Sequence, residues 1–240
     1  MKNCNAPENR TTRRILPIAC AMALALAFTL SLPQPAHAGD VTPPPVPDQI
    51  QVPEGAEPFL VGHARGTQNY VCLSSVAPSG ATSFAWTLFT PEATLFRGSD
   101  KQIITHFFAP NPCEPNTNTR VVANGTIRAA WQYLDTSTVW AAADPAHTAT
   151  HTSDADFVKD GAVAWLLLTA VGAKDGPSGD DTLSQTTFVQ RLNTSGGLAP
   201  STGCSQLADV GKEAFMPYTA DYFFYAGPGE GARCDANAGN

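Results

Sequence analysis

The 240 residues carry 14 basic and 21 acidic side chains, a formal charge of −7. Beyond the first 14 positions there is no run of Lys or Arg, and such a surface repels phosphate backbones and anionic lipid. Nucleic acid and membrane surfaces are therefore poor partners.

The N-terminus reads as an address. Lys2, Arg10, Arg13 and Arg14 precede an apolar run over 15–32, and a polar stretch then ends in Ala36-His37-Ala38. This is the pattern of a secretory signal peptide over 1–38, cleaved before Gly39. The apolar run is at the short limit for a bilayer span and contains Pro17, Thr29 and Ser31, which argues against a retained anchor. Export to the periplasm or the exterior by the general secretory route is expected. Arg13-Arg14 beside an Ala-rich core leaves the twin-arginine route as the alternative. Removing 38 of the 240 residues leaves 202, enough for one core. The leader takes four basic residues and one acid, so the remainder holds 10 basic against 20 acidic side chains, a charge of −10.

Residues 39–54 form a proline-rich lead, expected to be extended and solvated. Short segments with period-2 character follow. They are 58–64 and 67–73 (joined by a turn-like Arg65-Gly66 step), 83–89, 102–110, 126–134, 137–143, 162–172, 186–193 and 217–226. In 126–134, Ile127, Ala129, Trp131 and Tyr133 share one face. The run over 162–172 fits a strand buried on both faces. Only 154–159 and 204–212 suggest helix, a turn or two each. About nine such segments predict an all-β, single-domain antiparallel sandwich or flattened barrel with at most short helices. The Gly-rich tail, 227–240, should be loose except where Cys234 pins it.

No nucleophile elbow, zinc-protease helix, phosphate loop or dinucleotide fingerprint is present. Cys72, Cys113, Cys204 and Cys234 remain after the leader, an even number that suggests two disulfides with three possible pairings. His147 and His151, with Asp154 and Asp156, would make a metal shell if the segment were helical. Thr148, Thr150 and Thr152 disfavour that helix, so no metal or other cofactor is expected. His106 shares a strand face with Ile104 and Phe108, as a core imidazole or a general base. Trp86, Trp131, Trp140 and Trp165 lie on four different strands, in positions to pack a core or line a pocket. In 217–226, Tyr218, Ala220, Tyr222 and Phe224 face one way, and Thr219, Asp221, Phe223 and Tyr225 the other. Aromatics on both faces put Asp221 partly out of water, where it needs a partner. Arg191, on a face with Val189 and Asn193, is expected to pair with it.

Together, GTQNYVC (66–72), Pro91-Glu92-Ala93 with Leu95, His106-Phe107, WLLL (165–168), TFVQRLNTSGGLAP (187–200), Cys204 and PYTADYFFY (217–225) resemble the DUF3455 domain of exported bacterial and fungal proteins. The resemblance covers residues 55–226 and implies one domain. It transfers no catalytic residue, because the family has no assigned activity. Cys72 and Cys204 fall in family-like segments, which implies a Cys72–Cys204 bridge and leaves Cys113–Cys234 as a local addition. The leading expectation is a non-catalytic domain that binds a small molecule or glycan through Trp86, His106, Trp131 and Tyr222. The alternatives are a hydrolase built on His106 and Asp221, and a structural or inhibitory envelope protein.

Overall fold

Period-2 alternation along every segment means that each strand has an inner and an outer face, and here the sheet closes so that the inner faces meet. A computed structural model describes residues 41–114, 125–228 and 234. Its strands are β1 (Glu57–Val76), β2 (Thr82–Arg97), β3 (Lys101–Asn111), β4 (Thr126–Tyr133), β5 (Thr138–Ala149), β6 (Trp165–Lys174), β7 (Phe188–Gly196) and β8 (Glu213–Ala226). Each pairs antiparallel with the next, and β8 returns to β1, giving a closed eight-stranded barrel. Closure removes the unpaired edges that an open sheet would expose. Of the two expected architectures, the barrel is the one formed.

Nine expected segments become eight strands because β1 runs straight through Arg65-Gly66. Arg65 is paired on both sides, with Thr94 of β2 and Thr219 of β8. Gly66 is required by close approach and not by a turn: a Cβ there would run into the Glu92 carbonyl and Ala93. Of the expected helices, 204–212 reduces to a single 3-10 turn at Leu207–Asp209 and 154–159 forms ordinary turns, while the lead holds an unexpected 3-10 turn at Asp48–Ile50. Among the described residues, no helix is long and apolar enough to cross a membrane.

Two apolar clusters lie on either side of the barrel wall. The interior holds Leu60, Leu95, Ile104, Trp131, Val139, Leu168, Val189, Tyr222 and Phe224. The second cluster is outside: Trp165, Leu167, Leu192, Phe223 and Tyr225 are covered by Ile50, with Val41, Val46 and Val52 packed against them. The lead is therefore not solvated as expected. Its prolines keep it extended, but its aliphatic side chains roof the outer faces of β6, β7 and β8. Gln190 fastens it, with Nε2 donating to the Ile50 carbonyl at 2.7 Å and Oε1 accepting from Tyr225 Oη at 2.7 Å. This roof explains why β6 and β8 are apolar on both faces.

The disulfides are Cys72–Cys204 and Cys113–Cys234, the pairing implied by the family resemblance. The first ties β1 to the β7–β8 connection, and the second ties the β3–β4 connection to the tail. The leader over 1–38 and the tail beyond 228, Cys234 excepted, lie outside the described residues.

Ile50 is fully buried although it stands in the lead. Ile50→Ala should therefore cost about 2–4 kcal/mol, as for a core aliphatic, when urea unfolding of the wild type and the variant is compared. A solvated lead would give a change near zero.

Candidate functional site

Eight strands enclose a space that side chains can fill or that one small ligand can occupy. Here the interior is filled along part of its length, and above that floor lies a cup of about 340 Å³. His106, Trp131, Leu168 and Tyr222 form its base, and Leu88, Phe108, Ile127, Ala143 and Leu166 line the wall up to the exposed rim at Ile127 and Ala143. The polar groups lining it are few: Gln68, Arg128, Arg191, His106 and the Tyr222 hydroxyl.

His106, Trp131 and Tyr222, expected as ligand-binding residues, do come together. β3 and β4 pair His106 directly with Trp131. The imidazole stacks on the indole, with centroids 4.3 Å apart and 5° between planes, and Tyr222 tilts against both rings at 5.0 and 5.5 Å. His106 Nδ1 lies 2.9 Å from the Ala130 carbonyl and must donate to it, which leaves Nε2 as the acceptor. Burial drives the His106 pKa down to about 3; the Ala130 hydrogen bond opposes the shift and the Arg191 charge adds to it. The imidazole is thus neutral at any ordinary pH. Tyr222 Oη sits 3.3 Å from Tyr218 Oη, and burial, reinforced by Tyr222, pushes the Tyr218 hydroxyl far up.

The expected Arg191–Asp221 pair does not form. The register sets Arg191 opposite Tyr222, facing inward, and Asp221 opposite Leu192, facing outward. Alternation then keeps the guanidinium and the carboxylate on opposite sides of the wall. A one-residue bulge in β7, between Leu192 and Ser195, turns Asn193 outward with φ at +51°. Asp221 takes its partners there: Oδ1 lies 2.6 Å from His63 Nδ1 and Oδ2 accepts from Asn193 Nδ2 at 2.8 Å. It links β1, β8 and β7 across the outer surface. The same geometry removes the hydrolase reading, since His106 lies at the base of the cup and Asp221 in a shallow outer groove with Val41, Pro43 and Phe223.

The other candidates disperse. Trp86 lies away from the cup and donates through Nε1 to the Thr202 carbonyl at 2.9 Å. His147 is 3.6 Å from Asp144, and His151 Nδ1 bonds the Val158 carbonyl at 2.8 Å. Asp154 accepts from Gln49 Nε2 at 2.7 Å. Among the described residues, no three His, Cys, Asp or Glu side chains converge as a metal shell. Two further polar side chains, Gln68 and Arg191, line the cup without being expected there. Nothing in the spacing or type of Gln68 marks it as a cup residue, and the expected pairing with Asp221 hides the inward direction of Arg191.

The His106 shift has a pH consequence. Unfolded, the imidazole takes up a proton near pH 6.5; folded, it does so only near 3. Its contribution to stability is complete above about 6.5 and is lost as pH falls through that window, at up to about 1.4 kcal/mol per pH unit. His106→Phe should flatten the stability curve between pH 6.5 and 4.5 by that slope, read from urea unfolding. An unchanged slope would show that His106 protonates while the protein is folded.

A family model described as a protein of unknown function, DUF3455, matches residues 53–226. No curated protein and no solved structure matches the chain. The match spans all eight strands and both faces of the cup, and the chain belongs to the DUF3455 family.

Proposed function

We propose that this protein is a non-catalytic carrier or receptor that holds one compact small molecule inside its barrel. The observation that carries this reading is the cup itself. Its volume of about 340 Å³ lies within the range of small-ligand pockets, its wall is largely apolar, and its polar groups are few and convergent. The stacked His106–Trp131 base offers a rigid aromatic surface rather than a reactive group, because burial, which lowers the His106 pKa to about 3, makes the imidazole too weak a base to take a proton from a substrate at ordinary pH. A glycan chain fits less well. Trp131, Trp140 and Trp165 are buried, so they do not make the exposed aromatic platform that sugar chains stack on. A purely structural or inhibitory role would be served by a fully packed barrel, and this interior is not fully packed.

The same proposal places the carrier outside the cytoplasm, after loss of residues 1–38. The two disulfides support this, since such bridges persist in oxidising compartments.

A screen of compact metabolites should find a class that changes tryptophan emission saturably and raises Tm. Trp131→Phe should remove much of the fluorescence change. Ala143→Phe, at the exposed rim, should weaken binding at least tenfold without lowering Tm. A screen in which no compound shifts either emission or Tm would overturn the reading.

A further inference from the structure

Among the described residues, three donor groups of cup-lining residues lack an acceptor: the Nη atoms of Arg191, the amide nitrogen of Gln68 and the indole N–H of Trp131. Arg191 reaches the cup from β7, and its Nε donates to the Ala164 carbonyl at 3.0 Å, which fixes one edge of the guanidinium. Among the described residues, no carboxylate lies within ion-pair distance of Arg191 and no protein group engages its two Nη atoms. Gln68, only 1% exposed, lines the same cup from β1. Its amide lies beside the Tyr218 hydroxyl, yet Nε2 has no hydrogen-bond partner of acceptable geometry. Leaving a buried amide and a half-buried guanidinium unanswered is costly unless something else answers them.

The arrangement around them is built. Gly197, at φ +86°, backs Gln68: a Cβ there would stand 3.1 Å from Gln68 Cγ and 2.9 Å from Tyr218 Cβ. The Gly197 carbonyl is itself held by Tyr70 Oη at 2.7 Å. Gln68 and Arg191 line the same cup, from β1 and β7. The second guanidinium at the cup, Arg128, is already neutralised. Its Nε and Nη2 donate to Glu114 at 2.8 and 2.7 Å. Among the described residues, no acidic side chain lines the cup. Among the described residues, the cup thus carries one uncompensated positive charge, inside a chain whose formal charge is −7.

We infer that the occupant is a compact monocarboxylate with an apolar body. The carboxylate sits on the free edge of the Arg191 guanidinium, within reach of the Gln68 amide, and the body lies against Leu88, Phe108, Leu166 and Leu168. A single free guanidinium matches one carboxylate in a two-point contact and does not match a phosphate ester or a diacid, which would leave charge unanswered. This inference rests on the carrier reading above and adds the chemical class of its ligand.

The test is isothermal titration of the mature chain at pH 7 with hexanoate and phenylacetate, and with the neutral hexanamide and phenylacetamide. Each carboxylate should bind at least tenfold more tightly than its amide. Arg191→Met should bring carboxylate affinity down to that of the amide and leave amide binding within twofold. Gln68→Leu should weaken carboxylates three- to tenfold. If Arg191→Met does not fold, the wild-type carboxylate-to-amide ratio and Gln68→Leu carry the test. Amides that bind as tightly as carboxylates, or a ratio unmoved by Arg191→Met, would overturn the monocarboxylate assignment and leave the carrier reading standing. Binding by neither series would also overturn it, and the carrier reading would then depend on the wider compound screen alone.

Discussion

Strand β1 is hydrogen-bonded along both edges, to β2 on one side and to β8 on the other, and the rest of the molecule depends on that double pairing. Once the ring is closed, alternation leaves each side chain only two directions. Tyr222 goes in and Asp221 goes out; Arg191 goes in and Leu192 goes out. No local preference of these residues decides this. Asp221 then links β8 to His63 and Asn193 on the outer surface. It is partly exposed, so the link contributes about 1 kcal/mol at most and acts more to mark the register of the seam than to hold it closed.

Inside the ring, polar groups are tolerated only on strict terms. His106 is kept neutral by burial and occupied by the Ala130 carbonyl. The tyrosine hydroxyls at 70 and 218 are pushed up by burial, so they stay protonated, and Tyr70 has a carbonyl to donate to. Arg128 is matched by Glu114. Against this background Arg191 stands out, because among the described residues it reaches the cup with no carboxylate partner, while the Gln68 amide nitrogen and the Trp131 indole N–H line the same space without a hydrogen-bond partner.

Much of the fold was legible in the sequence because barrels write period-2 patterns. The shared face of Ile127, Ala129, Trp131 and Tyr133 turns inward, and the two-faced run around Trp165 is a strand covered on both sides. Arg65-Gly66 misled because a glycine demanded by close packing looks like one demanded by a turn. The lead misled because proline spacing describes backbone shape and is silent on whether intervening Val and Ile side chains are covered. The site was half legible. His106, Trp131 and Tyr222 could be picked out by their chemistry. The role of Arg191 could not, since period-2 spacing says which residues share a face but not which face turns inward or in what register β7 meets β8. Nor does the sequence say why 197 is glycine: the reason is a left-handed backbone packed closely behind Gln68 and Tyr218.

The β1–β8 seam also governs the order in which the molecule can be made. Every other pairing in the barrel joins neighbours in sequence and can form as a hairpin while the chain is still emerging. The seam joins His63 to Asp221, 158 residues apart, and waits for the last strand. Until Glu213–Ala226 arrives, β1 and β7 are two bare edges of a curled sheet, open to pairing with any other strand. A chain that stops short of residue 213 is therefore not a smaller barrel but an aggregation-prone sheet with no enclosed space. The final strand makes the protein all-or-none with respect to its own completion.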